Sequence, residues 1–131
     1  MYQKKRENDI RCPLEHGLSV FGGKWNSRVL CVLAACGTMR YGEIRRELVN
    51  ISDAVLAATL RHLIEHCLVS RTEYEEIPPH VEYGLTARGQ SVIPILQSIC
   101  QWADTREWEY DGPVMYQCQK CCSSKKEEEQ T

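Results

Sequence analysis

The chain has 131 residues, of which 43% are hydrophobic and 26% are charged, a composition typical of one soluble globular domain. No apolar run approaches the roughly 18 residues that a membrane-spanning helix needs. The charged N-terminus is not followed by the apolar segment of a signal peptide. We therefore expect a cytoplasmic protein with no membrane partner. The net charge of −2 does not by itself favour nucleic-acid binding.

The charge is unevenly distributed along the chain. Residues 1–71 contain eleven Lys and Arg against seven Asp and Glu, a balance of +4, whereas residues 72–131 contain five against eleven, a balance of −6. Contact with phosphates requires a basic surface, so this distribution favours a nucleic-acid partner for the first half. A chance fluctuation of charge along a short chain is the alternative.

Two helices are predicted at the start of the domain, after a polar and charged arm over residues 1–11. Pro13 suits a first helical position, and apolar residues recur at helical spacing over residues 14–21. Gly22 and Gly23 end this helix. A second helix begins at Lys24 and ends before Gly37.

Residues 41–67 have the pattern of a helix-turn-helix. A short helix over residues 41–48 has Ile44 and Leu48 on one side, and residues 49–51 form a turn. Ser52 is a good N-cap for the longer helix over residues 52–67. The second helix of such a motif reads DNA. An ordinary pair of core helices is the alternative.

The longer helix has two distinct faces. Its apolar stripe consists of Leu56, Leu60, Leu63, Ile64 and Cys67, the spacing of an amphipathic helix. The opposite face carries Ala54, Val55, Ala58, Arg61, His62 and Glu65. Because the first two turns of this face have small side chains, the helix can approach the floor of a groove closely.

A β-hairpin is predicted directly after this helix. Residues 69–74 and 81–85 are short, alternating segments rich in β-branched and aromatic residues. Pro78 and Pro79 lie between them and belong in the turn, because proline cannot donate a ladder hydrogen bond. A hairpin after a helix-turn-helix defines a winged helix, and the wing over residues 69–85 would reach the flanking groove.

A last helix is predicted over residues 87–108, capped by Thr86 and kinked, or loosened by one turn, at Pro94. It is apolar on more than one face, which one small core does not cover. We therefore expect a homodimer, whose symmetry would suit a palindromic operator. A longer packing contact within one chain is the alternative. The predicted interface residues are Leu14, Leu18, Phe21, Val92, Leu96, Ile99 and Trp102.

Residues 111–131 form a charged, low-complexity tail that we expect to be disordered. Its cysteines Cys118, Cys121 and Cys122 are weak candidates for a metal site, because structural zinc needs four ligands and no second pair has matching spacing nearby. His62 and His66 are four residues apart on one helix, but a solvated face explains them better than a metal. We expect no cofactor.

We expect no enzymatic activity either. No histidine has a Ser, Cys or carboxylate at a spacing that would make a nucleophile and base.

Taken together, these segments resemble the HxlR-type winged helix-turn-helix transcriptional regulators (MarR-like) of bacteria and archaea. The resemblance covers residues 11–104. It lies in CPLE (12–15), GGKW (22–25), YGEIRREL (41–48), IS (51–52), LRHL (60–63), LVSR (68–71), PPHVEY (78–83) and LTARG (85–89). It implies a homodimeric DNA-binding protein, mainly α with a small β-hairpin wing (α+β). The winged-helix domain would occupy residues 1–110, and its outer helices, 14–21 and 87–108, would form the dimer interface.

The chain departs from this family at positions that matter for DNA readout. Family members often have Lys and Gln or Arg where this chain has Ala54, Ala57 and Ala58, and Arg at the hairpin tip where it has His80. Each missing bidentate base contact removes about 1–3 kcal/mol of discrimination. The protein would then read thymine methyls and DNA shape, or bind its operator with modest affinity.

The predicted DNA-contacting residues lie on the helix-turn-helix or at the hairpin tip. They are Arg40, Tyr41, Arg45, Ser52, Ala54, Val55, Ala58, Thr59, Arg61, His62 and His80.

Cys12 is the candidate redox-sensing residue. It precedes Pro13 at the start of the first helix and follows Arg11, and a helix N-terminus and a cation both stabilise a thiolate. Some members of the family that this chain resembles sense oxidants or electrophiles at this position. Packing as a small hydrophobe under the dimer helices is the alternative. We expect the cysteines in apolar stripes to be buried and inert: Cys31, Cys36, Cys67 and Cys100.

Two functions remain open. One is a promoter-binding regulator controlled by a thiol or small-molecule signal, whose effector and operator are unknown. The other is a winged-helix interaction module, or a thiol- or metal-binding module, that has lost specific DNA readout.

Overall fold

Five helices and three short strands make up residues 10–104, which the computed structural model describes. The predicted tail, with Cys118, Cys121 and Cys122, lies outside these residues. The helices are α1 (Pro13–Phe21), α2 (Lys24–Cys36), α3 (Tyr41–Leu48), α4 (Asp53–Glu65) and α5 (Ala87–Asp104). The strands are β1 (Met39–Arg40), β2 (Val69–Tyr74) and β3 (His80–Leu85).

The three strands form an antiparallel sheet in the order β1-β3-β2. Strands β2 and β3 pair from Val69 opposite Leu85 to Tyr74 opposite His80. Met39 of β1 pairs with Tyr83 of β3, so the wing is tied to the segment that precedes α3. The predicted winged helix-turn-helix, mainly α with a small β wing, is confirmed.

The core lies around α2, which contacts α3, α4, α5 and β3. The leucines of the predicted apolar stripe of α4 are buried: Leu56, Leu60 and Leu63. Ile44 and Leu48, on one side of α3, are buried as well. Burial of each such side chain stabilises the fold by about 1.5–3 kcal/mol, so this packing fixes which face of α4 is directed to solvent.

The junction between α4, β2 and α5 is locked by hydrogen bonds around Thr86. Its hydroxyl donates to the main-chain oxygen of Cys67 at 2.5 Å and accepts from the Gly89 N–H at 3.0 Å. A Cβ at Gly89 would overlap the main-chain oxygen of Leu68. The start of α5 therefore packs directly on the backbone that leaves α4, as the predicted cap at Thr86 requires.

The turn between α3 and α4 is tight and strained. Val49 has φ 65° and ψ −65°, and the Asn50 N–H donates to the oxygen of Leu48 at 2.8 Å. This is a γ-turn with positive φ, a rare conformation that is costly for a β-branched residue. The turn directs α4 away from α3 within three residues.

Two sequence expectations about α4 and the cysteines are wrong. Helix α4 ends at Glu65, and Cys67 lies beyond it with φ 61°, exposed to solvent. Cys36, at the end of α2, is also exposed, whereas Cys31 and Cys100 are half-buried. The apolar spacing of α4 continues in the sequence to Cys67, although the helix itself ends at Glu65. Periodicity alone does not show that the positive φ of Cys67 takes the backbone out of the helical conformation.

Helix α5 continues through Pro94 to Asp104, and the predicted residues 105–108 lie outside the described part of the chain. Within residues 10–104, no helix is long and apolar enough to cross a membrane.

Candidate nucleic-acid interface

The exposed face of α4 begins at a well-formed cap. The Ser52 hydroxyl accepts a hydrogen bond from the Val55 N–H at 3.2 Å. Ala54, Val55 and Ala58 are exposed on the first two turns, and Arg61 is exposed one turn later. Because the opposite face is buried in the core, this surface of small side chains ending in a cation is the part of α4 that a groove can admit.

Two residues predicted to contact DNA do not belong to this surface. Thr59 is buried, 7% exposed, and its hydroxyl donates to the Val55 oxygen at 2.7 Å. His62 is half-buried, with Nε2 2.8 Å from the Val20 oxygen. The first side chain is directed at the core and the second is bonded to α1, so both predictions are corrected.

The α3 side of the surface is held to α4 through one residue, Asp53. The Tyr41 hydroxyl donates to the main-chain oxygen of Asp53 at 3.0 Å and lies 3.4 Å from Oδ1 of the same residue. Arg45 Nη1 lies 3.3 Å from that Oδ1. Tyr41 and Arg45 are four residues apart, so both lie on one side of α3. The network brings two predicted DNA contacts together at the N-terminus of α4.

The protonation of Tyr41 reflects this setting. Partial burial raises the pKa of its phenol above the usual value, and the negative charge of Asp53 and the hydrogen bond to it raise it further. Tyr41 therefore remains a neutral donor at all physiological pH values. Asp53 was not among the predicted site residues, although its position as the first residue of α4 places it beside the predicted DNA contacts.

Arg40 connects the helix-turn-helix to the sheet. It is the last residue of β1, pairs with Glu82, and is exposed at the N-cap of α3. The Arg40 N–H donates to the Glu43 carboxylate at 3.2 Å, which fixes the backbone at the start of α3. This places a guanidinium at the boundary between α3 and the wing.

The wing is acidic. Residues 69–85 contain a single cation, Arg71, against Glu73, Glu75, Glu76 and Glu82. Arg71 is itself engaged, 3.4 Å from Glu73, and a hydrogen bond with Tyr83 raises its pKa. A phosphate backbone would meet net negative charge at the wing.

His80 does not lie at the hairpin tip. It opens β3, stacks on Tyr74 with ring centroids 4.6 Å apart, and is flanked by Glu76 at 2.9 Å and Glu82 at 3.4 Å. The charge of Glu82, followed by a hydrogen bond to it, raises the pKa of Tyr74. With its side chain only 14% exposed, His80 is held by the wing's own carboxylates, which corrects its prediction as a DNA contact.

The predicted dimer residues separate into two groups. Val92 and Leu96 are buried in the core of this chain, which corrects their assignment to an interface, and Phe21 is half-buried. The exposed members are Leu14, Leu18, Ile99 and Trp102. Ile95, which sequence analysis omitted, is also exposed.

The exposed apolar residues of α1 and α5 adjoin one another. Leu18 and Ile99 line one cavity of about 260 Å³, together with Cys31 and Cys100. Ile95, Ile99 and Trp102 recur at helical spacing and share one side of α5. The two helices therefore present one apolar surface, which we call the α1–α5 face.

Metal chemistry gains no support from the described part of the chain. Residues 10–104 contain no group of three or more His, Cys, Asp or Glu side chains arranged to hold a metal ion. The rings of His62 and His66 are tilted, with centroids 4.6 Å apart.

Comparison with known proteins identifies the family. Residues 20–110 match the HxlR-like helix-turn-helix family. The chain belongs to the HxlR family. It is 44% identical over 96 residues to an HTH-type transcriptional regulator of Methanothermobacter thermautotrophicus, covering 73% of this chain and 72% of that protein. It is 45% identical over 91 residues to the HTH-type transcriptional regulator YkvN of Bacillus subtilis, covering 70% and 76%.

Solved structures of regulators have the same fold. The redox regulator HypR in its oxidised form superposes with a TM-score of 0.66 at 35% identity, covering 74% of this chain and 99% of HypR. The reduced transcriptional regulator YodB of Bacillus subtilis gives a TM-score of 0.69 at 32% identity, covering 78% and 100%. The resemblance read from the sequence is confirmed, and this HxlR protein is a helix-turn-helix transcriptional regulator.

A negative charge placed on the exposed face of α4 tests its contact with DNA. Replacing Ala58 with Glu should lower affinity for promoter DNA by about 100-fold or more, because like charges brought together in an interface cost several kcal/mol. The unfolding free energy should change by no more than about 0.5 kcal/mol, since Ala58 is exposed. Fluorescence anisotropy with a labelled duplex and urea unfolding measure the two effects. Ala87→Glu, an exposed position in the first turn of α5, is the matched control. Unchanged affinity in Ala58→Glu would contradict the assignment of this surface.

Proposed function

We propose that this HxlR protein binds promoter DNA by placing the N-terminal half of α4 in the major groove. The observation that carries the proposal is the exposed face of small side chains, Ala54, Val55 and Ala58, opposite a buried stripe of leucines. A recognition helix with this cross-section can approach base edges closely, and the N-terminal residues of such a helix make the base contacts.

The chemistry of the face determines what it reads. Ala54, Val55 and Ala58 offer methyl groups, which suit the C5-methyl group of thymine in the major groove. None of them donates or accepts a hydrogen bond through its side chain, so the remaining discrimination comes from DNA shape and deformability. Ser52 adds a hydroxyl at the helix N-terminus, where a phosphate is favoured.

Phosphate contacts come from arginines and one phenolic hydroxyl around this face. Arg40, Tyr41 and Arg45 lie on the α3 side, and Arg61 lies further along α4. The acidic wing adds repulsion in place of a contact. We therefore infer few phosphate contacts per subunit and an affinity that falls less steeply with salt than in regulators with basic wings.

A titration against DNA tests the proposal. The full chain should bind the intergenic duplex upstream of its own gene more tightly than a scrambled duplex of equal length, with log affinity falling linearly against log salt concentration. The slope should correspond to the few arginines named above, at about 0.9 per neutralised phosphate. No binding, or equal binding to both duplexes, would favour the alternative, an interaction module without specific DNA readout.

We further propose that two copies associate through the α1–α5 face. The support is its continuity across two helices and its apolar character, since Leu14, Leu18, Ile99 and Trp102 are all exposed. Contiguous exposed apolar surface on a small protein marks an interaction site. Two-fold association would present two α4 helices to successive turns of the major groove.

The dimer proposal predicts the effect of a charge in the α1–α5 face. Ile99→Asp should convert the protein to a monomer at micromolar concentration and weaken DNA binding, because a buried unpaired carboxylate opposes association. Analytical ultracentrifugation gives the mass. Gln90→Asp, an exposed α5 position outside this face, should remain dimeric. A monomeric wild type would refute the proposal.

Cys12 is proposed as a redox-sensitive residue of this regulator. It is exposed at the N-cap of α1, with its backbone oxygen accepting from the Glu15 N–H at 3.0 Å. Two structural neighbours support a thiol signal: HypR is named a redox regulator, and YodB has been solved in a diamide-treated form. Modification at the start of α1 would act beside the α1–α5 face and change the spacing of the two α4 helices.

Mild oxidation tests this role. Operator affinity should fall at least several-fold on diamide treatment of the wild type and remain unchanged in Cys12→Ser. Cys36→Ser, which removes another exposed thiol, should respond like the wild type. An equal loss in Cys12→Ser would assign the response to other thiols and exclude Cys12 as the sensor.

A further inference from the structure

Asp53 receives contacts from two α3 side chains at the point where α4 would approach DNA. The Tyr41 hydroxyl is bonded to its main-chain oxygen at 3.0 Å, and Arg45 Nη1 lies 3.3 Å from its carboxylate. The side chain of Asp53 is 64% exposed and that of Arg45 is 52% exposed. A predicted phosphate-binding cation is therefore paired with a carboxylate on the DNA-facing surface.

The carboxylate charge is needed neither for the N-cap of α4 nor for the hydrogen bond that ties Tyr41 to α4. Ser52 already caps α4 through its hydroxyl. The stronger hydrogen bond from Tyr41 goes to the backbone of Asp53, which any residue would supply. What the side chain adds is a negative charge within hydrogen-bonding reach of Arg45, in a region where DNA brings further negative charge.

The Arg45 guanidinium has enough donors to contact Asp53 and a phosphate at the same time. A guanidinium has five N–H donors, and Asp53 engages it through Nη1 in a single long contact. A phosphate can approach the other donors once α4 is seated deeply enough to bring the backbone to Arg45. With α4 less deeply seated, the phosphate gains little from Arg45 and is repelled by Asp53.

We propose that Asp53 is a specificity-determining residue of this regulator, whose carboxylate competes with DNA phosphate for Arg45 and so penalises binding to non-operator sequences. The inference rests on the proposed docking of α4. The alanine face cannot discriminate between sequences by hydrogen bonds. The Asp53 carboxylate would supply discrimination instead, because it weakens binding to non-operator sequences.

The isosteric variant Asp53→Asn isolates the charge, since it keeps an oxygen acceptor for Tyr41 and Arg45. Affinity for a scrambled duplex should rise about three- to tenfold at low salt, with a salt slope steeper by about 0.9, the value for one added phosphate contact. Affinity for the upstream duplex should rise less, so the ratio of the two affinities falls.

Two further variants test whether the effect of Asp53→Asn depends on the pairing of Asp53 with Arg45. Glu65→Gln removes the same charge from the last residue of α4, which is also exposed, and should leave the slope unchanged. Asp53→Asn combined with Arg45→Ala should lose both the gain in affinity and the steeper slope. A merely structural role for Asp53 would change the unfolding midpoint without moving the slope.

The outcomes separate this inference from the proposed function. An unchanged slope or weaker binding to the scrambled duplex in Asp53→Asn would overturn the role of Asp53, as would an equal effect of Glu65→Gln. The scrambled duplex requires no operator, so this arm tests the competition for Arg45 by itself, and an equal rise in affinity for both duplexes would overturn the specificity role of Asp53. Failure of the wild type to prefer the upstream duplex would count against the proposed function.

Discussion

The burial of one stripe of α4 is the constraint on which the rest of the structure depends. Leu56, Leu60 and Leu63 are packed against a core centred on α2, which fixes the rotation of α4 about its own axis. The small residues on the opposite side must then be exposed. The γ-turn at Val49 and the bonds around Thr86 hold the two ends of α4, so the exposed face is presented on a rigid element.

The charged residues around that face have opposite effects on DNA binding. Arginines on α3 and α4 favour phosphate, whereas Asp53 and the glutamates of the wing disfavour it. Since exposed charges are screened within about 10 Å at 0.1 M salt, each acts mainly on the nearest phosphates. The balance suits a regulator of modest non-specific affinity, and a small change of charge near Arg45 has a direct effect on that balance.

The sequence predicted most of the fold because its signals are periodic. Helices α1 to α5 and the hairpin follow from apolar spacing and from caps such as Ser52 and Thr86. Strand β1 has two residues, too few for any periodicity to show. Thr59 and His62 were misplaced because their positions border both faces of α4, and only tertiary packing directs one into the core and the other to α1. The pairing of Asp53 with Arg45 depends on the angle between α3 and α4, which no local pattern records.

The central claim is that α4 lies in the major groove while the acidic wing makes no close contact with DNA. Dimethyl sulfate footprinting tests it directly, because the reagent methylates guanine N7 in the major groove and adenine N3 in the minor groove. The account predicts protection of guanine N7 in two short segments about one helical turn apart, with adenine N3 reactive throughout the flanks. Protection confined to adenine N3, with guanine N7 fully reactive, would contradict it.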